Sequence, residues 1–153
     1  MEEEEYRATY RAVNRRRCVF EKAISSRRCN CGQSARFHLA DREGVSCESE
    51  TGNALCIALL DTLRRKARFA LHVTHADAPL PHAKEIRVQI GGMLGLQKLL
   101  RPELAQADSV SDINGLAVEA IDRYGRIEAL PYELILQTLV SFEGRRKRMR
   151  PGK

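Results

Sequence analysis

Residues 25–50 read SSRRCNCGQSARFHLADREGVSCESE, and the choice between loop and regular element here decides the fold class. The stretch is rich in Ser, Arg, Cys and Gly and short of large apolar side chains. It therefore predicts a loop-dominated insert that hydrophobic burial alone does not order. The flanks carry helical periodicity. Upstream, Tyr6, Tyr10, Val13, Phe20 and Ile24 recur at spacings of three, four and seven and predict a helix over 3–24, with Glu2 to Glu5 complementing its dipole. Downstream, Leu55, Leu59, Leu63, Ala67 and Leu71 share one face of a helix predicted over 53–71, while most of RRKAR (64–68) faces water.

Beyond that, HVTHADAPLPH (72–82) breaks the pattern with two prolines. In AKEIRVQIGGMLGLQKLL (83–100), Glu85 to Ile90 alternates like a strand, yet Ile86, Ile90, Met93, Leu94 and Leu100 also suit a helix. Pro81 at a first turn and Arg101-Pro102 as a stop favour the helix. SVSDINGLAVEAIDRYG (109–125) predicts another, with Ser109 and Asp112 as a capping pair and Gly125 as its C-terminal stop. LPYELILQTLVSFEG (130–144) starts with Pro131 near a first turn and ends at Gly144. No internal repeat is present. Four to five helices without a sheet predict an all-α bundle: one helical domain over 1–144 with a cysteine-rich part over 15–58, then a basic tail over 145–153.

The 153 residues suffice for a core without cross-links, and no apolar run approaches the ~20 residues that span a bilayer. The start, MEEEEYRATYR, lacks the features of a secretory signal, so a cytoplasmic, reducing setting is expected. Net charge is +6, but RRKRMRPGK (145–153) alone holds six cations and no acid, which leaves the body neutral. The basic excess thus belongs to a tail able to meet nucleic acid or an acidic partner, or merely to lie solvated. A separate local patch covers 14–36, where Arg15, Arg16, Arg17, Lys22, Arg27, Arg28 and Arg36 face the single acid Glu21.

All five cysteines lie before residue 57, at Cys18, Cys29, Cys31, Cys47 and Cys56, in the pattern C-x10-C-x-C-x15-C-x8-C. In a reducing compartment such a cluster predicts metal ligation or redox chemistry rather than structural disulfides. Thiolates select zinc, copper(I) or iron–sulfur clusters. Structural zinc favours paired C-x2-C or C-x4-C knuckles, absent here, and His38 does not complete a common pattern. Iron–sulfur clusters, [2Fe–2S] or [4Fe–4S], accept more varied spacings. Four of the five are expected to ligate: Cys18, Cys29, Cys31 and Cys47, with Cys56 as the alternative fourth, since beside Leu55 it also reads as a small core residue. The surrounding arginines are expected to lower the thiol pKa values and to offset a cluster's negative charge. CNCGQS (29–34) is similar to the opening of the CDGSH iron–sulfur motif, a C-x-C pair holding a cluster. The continuation ARFHLADREGVSC has no proline, no CDG and no histidine at the expected place, so the likeness stops at six residues and no family follows from it.

His72, His75 and His82, with Asp77 nearby, form a second candidate metal group, or else a surface loop. Gly91 and Gly95 ask for a close approach, either of another helix, including one from a second copy, or of a cofactor; a strand ending in a Gly-Gly turn is the plain alternative. No phosphate loop, G-x-S-x-G elbow, H-E-x-x-H pair or Cys-His dyad is present, and no catalytic residue is assigned. Eight aromatics and no Trp argue against a stacking platform for nucleic acid. The chain thus predicts a small non-catalytic iron–sulfur protein in electron transfer, cluster carriage or redox sensing, serving a protein redox partner or a larger enzyme complex. The alternatives are a zinc-stabilised module that binds nucleic acid or an acidic partner through its tail, and a metal-free helical adaptor.

Overall fold

The computed structural model describes residues 2–73 and 79–142. Helix α1 (Glu3–Val13) is followed by a short α2 (Glu21–Ser25), then by strands β1 (Ser34–Leu39) and β2 (Arg42–Cys47). The long α3 (Glu50–Ala70) comes next, then α4 (His82–Ile86), α5 (Gly92–Leu100), α6 (Ile113–Tyr124) and α7 (Tyr132–Ser141). A π-helical turn over Arg87–Gly91 joins α4 to α5 without a break, so 82–100 is one continuous helical run.

The all-α expectation fails in the stretch that decided it. Residues 34–47 form an antiparallel hairpin, Ser34 opposite Cys47 through Leu39 opposite Arg42, so the molecule is helix-dominated but mixed. Its turn is Ala40-Asp41, both with left-handed backbone, at φ 50° and 68°. That is the geometry of a tight two-residue hairpin, usually announced by Asn-Gly or Asp-Gly. Across the strands Phe37 faces Gly44, and its ring occupies the space a side chain at 44 would need.

The predicted 3–24 helix is also broken. It stops at Asn14, a buried residue whose amide donates to the Val45 carbonyl at 3.0 Å and to the Tyr10 hydroxyl at 2.9 Å. The chain then runs beside β2: Cys18 N–H donates to the Val45 carbonyl at 3.0 Å and Cys47 N–H to that of Arg16 at 2.8 Å. Helix α1 buries nothing, whereas Phe20 and Ile24 are wholly enclosed. The apolar periodicity therefore spans two helices and an extended link.

One hydrophobic core links Phe20 to Phe142, with α3 (Leu59, Leu60, Leu63, Ala67) at its centre. The π turn and helix α5 pack on α7 at van der Waals limits: a Cβ at Gly91 would stand 2.9 Å from Leu139 Cα, and one at Gly95 2.6 Å from the Ile135 carbonyl oxygen. The glycine face expected to serve a second copy is thus covered by α7 of the same chain. Gly125 ends α6 at φ 87°, as its place predicts. The expected Ser109–Asp112 capping pair does not form; Asp112 precedes α6 with no side-chain bond to the helix and accepts the Gly32 N–H at 3.0 Å instead. Among the described residues no helix is long and apolar enough to cross a membrane. The tail over 145–153, Gly144, and His75 with Asp77 lie outside the described residues. His72 takes a left-handed backbone at φ 56° and His82 opens α4, exposed.

Candidate functional site

Four of the five cysteines line one small cavity: Cys18, Cys31, Cys47 and Cys56, with Ile113, Asn114 and Phe20 among its other walls. Each arrives by a different route. Cys18 lies in the link after α1, and Cys47 ends β2; the pairing of Arg17 with Ser46 fixes the two relative to one another. Cys56 sits in the second turn of α3, whose start is capped by Ser49 Oγ accepting the Gly52 N–H at 2.9 Å.

Cys31 is held by the irregular segment between α2 and β1. Asn30 N–H donates to the Val110 carbonyl at 2.8 Å, Val110 N–H to that of Arg28 at 2.9 Å, and Ile113 N–H to that of Asn30 at 3.0 Å. With Gly32 bonded to Asp112, this ladder ties the C-x-C stretch to the start of α6 and explains why Asp112 leaves its own helix. Order in the stretch comes from backbone bonds to a segment 80 residues away. Local composition carries no signal for such pairing.

Cys29 is separated from the other four. It pairs in parallel with Val110, is 2% exposed and belongs to the main core; it does not line the cavity. Cys56 does line it, with the Asn114 amide 3.8 Å from its sulfur, and Cys47 Sγ donates to the Ser49 carbonyl at 3.2 Å. His38 is exposed on β1, opposite Glu43. Asn53 and Asn114 are polar wall residues that the sequence did not single out, and nothing local marks them.

The thiols do not behave as the surrounding arginines suggest. Burial pushes Cys18 up to about 12 and Cys56 up to about 11, and raises Cys31 as well. Cys29 rises to about 12 for the same reason, although the Arg28 charge pulls the other way. Three of the arginines are turned elsewhere. Arg17 pairs with Glu21 at 3.1 Å, Arg27 with Glu43 at 2.9 Å, and Arg28 Nε donates to the Asp108 carbonyl at 2.7 Å. Free of metal, burial holds Cys18, Cys31 and Cys56 in the protonated form at neutral pH, so any metal must displace protons to bind them.

The four sulfurs share a cavity of about 10 Å3, roughly one water molecule in size. Among the described residues no three His, Cys, Asp or Glu side chains form a ready shell around a single ion. All five cysteines are free thiols. The cavity walls supply soft thiol donors and no imidazole, and the Asp112 carboxylate stands beside the Cys31 thiol. No family model, curated protein or solved structure matches the chain.

Proposed function

We propose that Cys18, Cys31, Cys47 and Cys56 hold an iron–sulfur cluster and that the protein is a non-catalytic redox or cluster-carrying subunit of a reducing, cytoplasmic compartment. The observation that carries this reading is the meeting of four thiols, from four separate segments, at one cavity. Tetrahedral zinc at ~2.3 Å from each sulfur draws the sulfurs to about 3.8 Å from one another, usually through C-x2-C knuckles. This chain has no knuckle, and its thiols stand round the cavity without forming a single-ion shell. A cluster accepts ligands that are wider apart and irregularly spaced. It displaces the thiol protons on binding and supplies one-electron chemistry. The chain's part is to hold the ligands and exclude water.

The size of the cavity favours a second reading, a structural zinc ion, since a space of about 10 Å3 admits one ion without displacing the hairpin. In that case the protein is a metal-stapled binding module, and its basic tail over 145–153 meets nucleic acid or an acidic partner. Anaerobic purification with iron, sulfide and zinc analysis separates the two. The first reading expects a coloured protein containing iron and sulfide. Cys31→Ser and Cys47→Ser are expected to lose most of the metal, and Cys29→Ala to keep it. A colourless protein whose melting is unaffected by strong chelator defeats both and leaves a helical adaptor.

A further inference from the structure

A cleft of about 530 Å3 lies on the other side of the Arg17–Lys22 segment from the thiol site. Val19 belongs to both walls, while Cys18 and Phe20 face the thiols, and Arg17, Glu21 and Lys22 line the cleft. The opposite wall is a face of α3 bearing Asp61, Arg64 and Arg68. Glu85 and Gln89, 6% and 2% exposed, form the floor, and Pro79 with Leu80 an apolar lip. A volume of this order suits a small organic ligand.

The charge arrangement selects its sign. Three acids line the cleft, and every one is already engaged. Glu21 accepts from the Tyr10 hydroxyl, pairs with Arg17 at 3.1 Å and accepts the Val45 N–H at 2.8 Å. Asp61 meets Arg64 at 3.3 Å. Glu85 accepts Arg64 Nη2 at 2.6 Å and the Gln89 amide at 2.9 Å, while the Gln89 oxygen takes the Ala23 N–H at 3.1 Å. The floor is therefore internally satisfied and rigid. The Lys22 ammonium feels Glu85 through space but makes no hydrogen bond or ion pair among the described residues. A second, independent feature is the π turn over Arg87–Gly91, which contains Gln89; such turns interrupt the ordinary helical ladder and recur at functional sites.

We infer that this cleft binds a small organic anion, with its carboxylate or phosphate head on Lys22 and its apolar part against Val19, Pro79 and Leu80. The proposal holds whatever metal the thiols carry, because none of the head-group contacts is a thiol.

The test is heteronuclear NMR titration of the full chain with hexanoate, with phenyl phosphate, and with hexylamine as a cation of similar apolar length. At millimolar concentration one or both anions are expected to shift signals of residues 17–22, 61–68 and 85–89, and hexylamine to leave them unmoved. The responding head group identifies the ligand as carboxylate or phosphate. Lys22→Gln is expected to weaken binding about tenfold, the worth of one charge-assisted hydrogen bond, at unchanged melting temperature. Absence of localised shifts with either anion, an equal response to hexylamine, or undiminished binding by Lys22→Gln would each overturn the assignment.

Discussion

Glu85 is the residue on which electrostatics and packing bear most directly. Burial alone would raise its carboxyl, but the Arg64 guanidinium and the Gln89 amide more than offset that and hold it below the ordinary 4.5. A carboxyl with a lowered folded-state pKa stabilises the fold fully above its unfolded value and loses that contribution as pH falls through the folded one. Stability is therefore expected to decline below about pH 4.5, and Glu85→Gln to flatten this part of the acid limb, as read by denaturant titration across pH. Arg64 is one-third exposed, so solvent screens the pair, and the substitution is expected to cost about 1–2 kcal/mol at neutral pH. Among residues, the cysteine pattern was legible from spacing alone. The separation of Cys29 from Cys31 was not, because it depends on contacts with residues 108–113.

At the scale of elements, α3, α6 and α7 were legible because each has its own apolar face, and α6 also its Gly125 stop. The helix over 82–100 was legible too, but not its π turn or the reason for its glycines. Those glycines are not equivalent. A methyl at Gly95 would meet backbone, the Ile135 carbonyl at 2.6 Å, whereas one at Gly92 would meet only side chains, Leu63 at 3.1 Å and Leu139 at 3.7 Å. Gly95→Ala is expected to destabilise by about 1–3 kcal/mol through overpacking. In Gly92→Ala, the helical preference of about 1 kcal/mol for alanine offsets a small rotamer shift, so little change is expected. Thermal melts of the two variants side by side check the contrast. The hairpin was missed for a local reason: Ala40-Asp41 is a poor advertisement for a left-handed turn, and Gly44 is needed as space for Phe37 rather than as a turn.

On the scale of the whole molecule, the link over 14–20 and the hairpin join a helical core to the thiol cavity. The link bonds to β2, and the C-x-C stretch between link and hairpin bonds to the start of α6, rather than within a helix. If a metal ties Cys18, Cys31, Cys47 and Cys56, its binding free energy is folding free energy for this region. Chelation is then expected to speed amide exchange in residues 14–56 more than in α5 and α7, measured by hydrogen–deuterium exchange. Uniform exchange with and without chelator would count against a metal staple.

The sequence by itself determined the helical core, the clustering of thiols before residue 57 and the confinement of the basic excess to the tail. Each is a property of composition or of short-range period, which neighbouring residues settle among themselves. Only the tertiary structure decided that residues 34–47 pair as a hairpin, that Cys56 rather than Cys29 joins the other three thiols, and that three of the arginines turn to carboxylates and carbonyls. Those outcomes rest on partners tens of residues away, whose closeness is fixed by the packed fold and not by the period of any one segment.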